Sequence, residues 1–199
     1  MSKTPLRRPL DAADPARHVL LGLLLDGPRH GYDLARSFAP GTVLGSVVHL
    51  GSSHLYALLS RLERDGLVRG EVEDQRARPP RHVYHITEAG RAEVVRWVAE
   101  PVARPRDVLL DFPLKLYLAR HLNPQDAADL VARQRALFEP YLDGLMREQE
   151  VGDHVSSPPE DHAFIELLRQ GRIARTEATL AWLDRCAALL AEETSVSRP

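Results

Sequence analysis

The residues best suited to chemistry lie on one predicted helix, from Ser53 to Asp65. At about 100° per residue, leucines occupy one side of this helix, as expected of a face turned towards a hydrophobic core. A helix that enters the major groove of duplex DNA needs small residues on its opposite face and hydrogen-bond donors at the rim of that face. The opposite face here has this composition: Ser53, Ala57, Ser60 and Arg64, flanked by Tyr56 and Arg61. The pattern predicts a DNA-reading helix, although a solvated surface helix has the same pattern.

The polar groups of this helix match the acceptors that DNA presents. Arginine binds guanine or phosphate through two parallel hydrogen bonds, whereas serine and tyrosine donate to phosphate oxygens. Ser52 or Ser53 is predicted to cap the helix, and the free N–H groups of the first turn add a phosphate site. Gly66 is expected to end the helix in the left-handed conformation.

Two strand-like runs follow the helix, at residues 67–73 and 81–87, and charged residues ending in Pro79-Pro80 join them. They predict an antiparallel hairpin with a long tip. Such a tip suits the flank of a duplex, where it meets the backbone or the minor groove. Two short helices, the polar-faced helix and a basic hairpin together predict a winged helix-turn-helix. The arginines of the hairpin are Arg76, Arg78 and Arg81, with Arg69 at its start.

The other elements follow from caps and breakers. Residues 1–13 are predicted to be disordered, and Asp14-Pro15 begins a helix that runs to about residue 25. A second short helix is expected at 31–39, and the β-branched, glycine-punctuated stretch 42–51 predicts an extended segment or short strand. Thr87 is expected to cap a helix to about residue 100, before helices over 107–122, 124–150 and 160–192. We therefore expect a mainly α protein with a small β-hairpin, with a winged helix-turn-helix domain at 14–100 and a helical domain at 105–194.

Composition and charge indicate the location of the chain and the kind of partner that it binds. The longest apolar run, residues 19–25, is far shorter than the about 20 residues of a membrane span, and no signal peptide is recognised. A cytoplasmic location is therefore expected.

Residues 1–100 contain 14 Lys/Arg and 12 Asp/Glu, whereas residues 101–199 contain 12 Lys/Arg and 16 Asp/Glu. A mildly basic first half favours an anionic partner there.

Several sequence motifs are similar to those of one family. The stretch HVLLGLLLDGPRHGYDL resembles the opening of PadR-type transcriptional regulators, and SSHLYALLSRLERDGLV resembles their recognition helix. The run RHVYHITEAG resembles the return strand of their wing, and RDVLLDFPLKLYLA resembles the first C-terminal helix of the longer members. The resemblance covers most of residues 17–122, and more loosely WLDRC near the end.

This resemblance implies a dimeric repressor that binds an inverted repeat in double-stranded DNA and that a small molecule releases. The helical domain would then serve dimerisation and effector binding, and apolar residues on the predicted terminal helix agree with a need for a partner surface. Tyr32, in the HGY motif, is expected either to reach a phosphate or to pack under the recognition helix. Four aromatic residues are candidates for lining a cavity between the winged domain and the helical domain that takes an aromatic or hydrophobic effector, although core packing is the default interpretation: Trp97, Phe112, Tyr117 and Trp182.

Other chemistry finds little support in the sequence. His82 and His85 point to opposite faces of a strand, so they do not share a metal ion. A surface metal site is conceivable where His154 and His162 flank a loop with acidic residues, but a solvated loop has the same composition. The single cysteine, Cys186, is expected to be a buried, inert thiol. No catalytic or nucleotide-binding motif is present, so neither cofactor, metal nor enzymatic activity is predicted. The remaining alternative is a winged helix that contacts only proteins.

Overall fold

A computed structural model describes residues 14–73, 81–151 and 158–196. The chain divides into two compact units, Met1–Trp97 and Val98–Pro199. Within the described residues, no helix has both the length and the apolar character that a membrane crossing requires. The predicted fold class is confirmed, because the described residues are mostly helical and their only sheet is small and antiparallel.

The first unit has the element order of a winged helix-turn-helix. Its helices are α1 (Pro15–Leu23), α2 (Gly31–Ser37), α3 (Val43–Val47), α4 (Ser52–Arg64) and α5 (Glu88–Ala99), the last of which continues across the boundary between the units. Its strands are β1 (Arg29–His30), β2 (Val68–Glu73) and β3 (Arg81–Ile86), in the antiparallel order β1-β3-β2.

Local chemistry explains where the first helices begin and end. The Asp14 carboxylate accepts a 3.0 Å hydrogen bond from the Ala16 N–H, and Pro15 occupies the first turn, as predicted. Gly66 ends α4 with a φ of 72°, where a side chain would be strained. The Leu67 and Gly66 N–H groups then donate to the Leu62 and Glu63 carbonyls, which is a Schellman motif.

The stretch 42–51 corrects the prediction of an extended segment, because its first part forms α3. The Thr42 hydroxyl accepts a 3.0 Å hydrogen bond from the Gly45 N–H and thereby caps this helix. A Cβ at Gly45 would lie 2.1 Å from the Ala39 carbonyl oxygen, so only glycine fits so close to the preceding turn. These two contacts outweigh the β propensity of the neighbouring valines.

The turn from β3 into α5 explains the T-x-x-G sequence. Thr87 accepts a 3.1 Å hydrogen bond from the Gly90 N–H, as predicted for a cap, and its hydroxyl donates to the Gly66 carbonyl. A Cβ at Gly90 would lie 2.1 Å from the Leu67 carbonyl oxygen. The hairpin, α4 and α5 therefore meet at one glycine contact, which fixes the hairpin at the end of α4.

The second unit is built from three long helices, of which α6 is Val108–Leu122, α7 is Pro124–Val151 and α8 is His162–Val196. A short 3-10 turn, Pro159–Asp161, precedes α8. Asn123 caps α7 by accepting a 3.0 Å hydrogen bond from the Gln125 N–H. Pro113 and Pro140 lie inside α6 and α7, and both helices continue through them. The fully buried side chains of this unit include Phe112, Leu114, Leu130, Phe138 and Leu183.

Candidate nucleic-acid interface

The polar face of α4 is exposed, and its leucines are buried. Leu55, Leu58, Leu59 and Leu62 all lie in the core of the first unit. The opposite side chains are accessible from solvent and include every predicted contact of this helix: Ser52, Ser53, Tyr56, Ser60, Arg61 and Arg64. The leucine spacing correctly predicts which side chains of α4 are buried and which are exposed. Because Arg64 forms no ion pair with any described residue, its guanidinium is available for an external acceptor.

The start of α4 differs from the prediction in one respect. Its N-cap is Gly51, with extended backbone, and neither Ser52 nor Ser53 caps the helix. No side chain in the described part of the chain accepts a hydrogen bond from the first turn there. The serine hydroxyls therefore stay available for other partners, and the N–H groups of the first turn form an uncapped anion site.

Two ion-pair contacts hold α1 against the two ends of α4. Asp14 Oδ2 lies 3.2 Å from His54 Nε2, which is an ion-pair distance without hydrogen-bond geometry. Arg17 donates to Asp65 Oδ2 over 3.4 Å at the other end. The sequence analysis did not predict either contact, because the two partners lie far apart in the sequence. Arg17 and Asp65, for example, are 48 positions apart. They orient α4 and leave its polar face uncovered by α1.

The HGY motif has a steric explanation. A Cβ at Gly31 would lie 2.8 Å from Tyr56 Cε1 and 3.2 Å from Tyr84 Cε2, so the two tyrosine rings lie against the start of α2. Tyr84 is buried, and burial raises the pKa of its hydroxyl, with smaller contributions from the charges of Glu63 and Tyr56. Tyr56 remains partly exposed on the rim of the α4 face. Gly31 therefore sets the position of a candidate DNA contact.

Tyr32 is on the surface, with 68% of its area exposed. This exposure argues against packing under α4 and leaves its hydroxyl free to reach a phosphate. The Arg36 guanidinium lies 6.0 Å from the centre of the Tyr32 ring, at the outer limit of a cation–π contact. Sequence reasoning did not identify Arg36 as a candidate, although the four-residue spacing from Tyr32 places both on one side of α2.

The wing consists of β2 and β3, paired from Val68 with Ile86 to Glu73 with Arg81. Glu63 of α4 accepts a 2.9 Å hydrogen bond from the Gly70 N–H and so ties β2 to the reading helix. Arg69 pairs with Glu71 at 2.7 Å, which neutralises it within the wing. The predicted contacts Arg76 and Arg78 lie outside the described residues, and only the backbone of Arg81 is described.

The four aromatic residues of the predicted effector cavity belong to three separate contacts. Trp97, in the first unit, stacks in parallel on His18 with ring centres 4.6 Å apart. In the second unit, Phe112 meets Trp182 edge to face at 5.5 Å, and Tyr117 lies against His121 at 4.3 Å. The structure therefore brings Phe112 and Trp182 together, in an arrangement typical of aromatic core packing.

The predictions about other chemistry have mixed outcomes. Among the described histidines, cysteine and acidic residues, no group of three lies close enough to hold a metal ion. His154 lies outside the described residues, so the loop metal site stays untested. Burial raises the pKa of the Cys186 thiol, which agrees with an inert side chain.

Comparison with known proteins identifies relatives of both units. Residues 20–96 match the transcriptional regulator PadR-like family, and residues 110–191 match the virulence activator alpha C-terminal family. A probable transcriptional regulator from Mycobacterium tuberculosis is 29% identical over 189 residues, which cover 88% of this chain and 97% of that protein. The negative transcriptional regulator PadR of Bacillus subtilis is 25% identical over 178 residues, which cover 87% of this chain and 96% of that protein. The crystal structure of Bacillus subtilis PadR in complex with operator DNA has 26% identity and a TM-score of 0.42, over 87% of this chain and 98% of that chain.

Proposed function

We propose that this chain, whose residues 20–96 match the PadR-like family of transcriptional regulators, is a member of that family and a dimeric repressor that reads an inverted repeat in duplex DNA. A small molecule relieves this repression. The protein acts in the cytoplasm, and its role is regulatory and not catalytic. The relative from Bacillus subtilis is named a negative regulator, which supports repression over activation.

The observation that carries the proposal is the α4 surface. Arg61 and Arg64 lie on an exposed face that otherwise consists of serines, an alanine and a tyrosine, while the leucines of the helix are buried. A smooth face of this kind fits a groove about 12 Å wide, and its arginines suit guanine edges or phosphates. The uncapped first turn adds an anion site at one end, and the wing lies beyond the other end.

An apolar surface on α8 supports dimer formation. Phe164, Leu167 and Leu168 are 60%, 63% and 53% exposed, and their spacing of three and four residues places them on one side of the helix. A monomer leaves these side chains in water, whereas a second copy covers them. Because helix-turn-helix dimers place two reading helices on one duplex, two-fold symmetry in the protein requires a palindromic site.

The effector is expected near the aromatic residues of the helical domain. Phe112 and Trp182 already contact each other in this unit, and a planar or amphipathic molecule suits such a lining. A ligand releases DNA only by binding the released conformation more tightly than the DNA-bound one. Tryptophan fluorescence titration beside a DNA-binding assay tests this part. An aromatic compound that quenches Trp182 without changing DNA affinity would show that this site is not a switch.

Selection of bound sequences from a random duplex pool tests the central proposal. We expect an inverted repeat whose half-site centres lie about 10 bp apart, or a multiple of this distance. Recovered sites without dyad symmetry would contradict a two-fold reader. Failure to enrich any sequence would favour a winged helix that contacts only proteins.

The wing is tested by replacing Arg76, Arg78 and Arg81 singly with glutamine. If these arginines neutralise phosphates, affinity falls alike for all sequences, and the slope of log K against log salt decreases by about one for each phosphate that is no longer neutralised. Arg69→Gln is the matched control, because Arg69 is already paired with Glu71. Unchanged salt slopes in all three variants would exclude the wing from the interface.

A further inference from the structure

A cavity of about 360 Å³ is lined by residues of the second unit, and the aromatic residues of the contacts described above are not among its described lining residues. The segment 104–106 forms one wall, Tyr141 of α7 forms another, and Arg172, Arg175 and Thr176 of α8 complete the lining. The volume falls within the range of small-molecule sites. Of the described residues that line it, four are arginines and none is acidic.

Most arginines around this cavity have no carboxylate partner among the residues that the structure describes. Arg104, Arg172 and Arg175 form no ion pair with any described residue, and Arg106 approaches Asp107 only at 3.9 Å. Elsewhere in the same unit some arginines are paired, for example Arg120 with Glu193 at 2.6 Å, whereas Arg133, Arg147 and Arg185 form no ion pair with any described residue. Arg104, Arg172 and Arg175 differ from those exposed arginines in that they line the same cavity.

Polar contacts of neighbouring residues fix the backbone close to the cavity. The Gln134 side chain, fully buried on α7, accepts a 2.7 Å hydrogen bond from the Val102 N–H and donates over 2.9 Å to the Val102 carbonyl. Lys115 donates to the Glu100 carbonyl over 2.8 Å. On α8, the buried Thr176 hydroxyl donates to the Arg172 carbonyl. The backbone that carries the arginines is thus fixed before any ligand arrives, which lowers the ordering cost of binding.

From this geometry we propose that the cavity binds a small organic molecule with two or more negative charges, carried by carboxylate or phosphate groups. Guanidinium groups match both kinds of oxyanion through paired hydrogen bonds. A single negative charge would leave most of the arginines uncompensated, whereas a multiply charged ligand balances them. Tyr141 also lines the cavity. This site goes beyond the proposed DNA-reading function and does not depend on it, because it lies wholly in the second unit.

Isothermal titration of the full-length protein tests the proposal in two arms. Pyrophosphate represents phosphate ligands and citrate represents carboxylate ligands, with sodium chloride at matched ionic strength as the reference. We expect saturable binding at one site per chain for at least one probe, and the arm that binds tighter identifies the class of oxyanion. Absence of saturable heat in both arms would overturn the proposal.

Substitutions locate the site. Arg172→Gln and Arg175→Gln are each expected to weaken binding about tenfold or more, because each removes a charge-assisted hydrogen bond. Arg185→Gln is the matched control, since Arg185 is exposed on the same helix and does not line the cavity. Equal weakening by all three variants would indicate a general charge effect and contradict the site. Circular dichroism without ligand verifies that each variant is folded.

A second measurement uses only the wild-type protein, so it does not depend on variants that fold. Phenylglyoxal modifies accessible arginines, and mass spectrometry quantifies the modification at each one. The probe that binds is expected to protect Arg104, Arg172 and Arg175, and to leave Arg64 and Arg185 reactive. Protection of these arginines by duplex DNA but by neither small probe would overturn the proposal and assign them to a DNA backbone contact.

Discussion

Helices α4 and α8 divide their polar and apolar side chains in opposite ways. In α4 every leucine is buried, and the serine and arginine side chains are exposed to solvent. In the first half of α8, Arg169 and Thr176 are buried, while Phe164, Leu167 and Leu168 face solvent. Helix α4 therefore completes its hydrophobic packing inside one chain and presents polar groups to an external partner. Helix α8 leaves apolar surface open, which another protein surface can cover.

The buried polar groups of α8 show that this arrangement is stable within one chain. Arg169 pairs with Glu166 at 2.8 Å, and the Thr176 and Thr179 hydroxyls each donate to the carbonyl four residues earlier, at 2.8 Å. These polar side chains are thus satisfied without a second element. In the proposed function the two helices have different partners, nucleic acid for α4 and a second copy for α8, and substitutions test the two roles separately.

The largest expected effect is on folding of the first unit. Leu59→Ala removes a fully buried side chain from α4 and is expected to lower the free energy of unfolding by about 2–5 kcal/mol, through reduced burial and a cavity. Urea denaturation followed by circular dichroism measures it. Ser60→Ala, on the exposed face of the same helix, is expected to stay within about 0.5 kcal/mol of wild type. Equal losses of unfolding free energy in both variants would show that α4 does not have one buried leucine face and one exposed polar face.

The next effect concerns association through α8. Leu167→Glu places a charge in the exposed apolar surface and is expected to weaken the dimer by about 2 kcal/mol or more, if Leu167 lies at the centre of the interface. Analytical ultracentrifugation over a concentration series measures the shift towards monomer. Val72→Glu is the control, because Val72 is an exposed apolar residue on the wing. A Leu167→Glu protein that dimerises like wild type would assign the interface to another surface.

A smaller effect is expected at the polar face of α4. Arg64→Ala is expected to cost about 1–3 kcal/mol of DNA-binding free energy and to relax the preference at one base position, because the variant cannot form the paired hydrogen bonds to guanine. Gel-shift titration against the selected site and its single-base variants measures both. Arg91→Ala, exposed on α5, is the matched control. Unchanged affinity and preference in Arg64→Ala would show that α4 does not read bases.

Features fixed by nearby residues were predictable from the sequence. The Asp14 and Thr87 caps, the glycine end of α4 and the leucine spacing are local, and the structure confirms each. Features that depend on distant partners, or on local contacts that oppose the apparent propensity, were not predictable. Strand β1 has two residues and exists only through its pairing with β3, and α3 depends on contacts between Gly45 and the preceding turn.

The functional surfaces also include features that the sequence predicts and features that it does not. The exposure of the α4 face was predictable because burial of the leucines on one side determines the other. The arginines of the second-unit cavity were not found, because residues 104 and 106 meet residues 172 and 175 only in the folded unit. Their sequence signal is weak, consisting of two closely spaced pairs in a chain rich in arginine. The DNA contacts of the wing stay predictions.

The smallest expected effect is a pH dependence confined to the unit that contains α4. The Glu93 carboxylate accepts a 2.6 Å hydrogen bond from Arg96 and lies 3.2 Å from His18 Nε2. The hydrogen bond from Arg96 is the main reason that the pKa of Glu93 is lowered, and the contact with His18 lowers it further against the opposing effect of burial. Because the folded pKa lies below the unfolded one, this stabilisation is complete above the unfolded pKa. It is lost as the pH falls through the folded pKa.

Glu93→Gln tests this pH dependence. The variant is expected to be less stable than wild type near neutral pH by no more than about 1 kcal/mol, since Glu93 is partly exposed, and the difference is expected to vanish in acid. Trp182→Phe in both proteins leaves Trp97, which stacks on His18, as the only tryptophan, so fluorescence during urea unfolding at each pH reports on the first unit. Glu177→Gln on α8 is the control and is expected to leave these curves unchanged. A stability difference that persists below the folded pKa of Glu93 would assign the effect to packing and not to the charge.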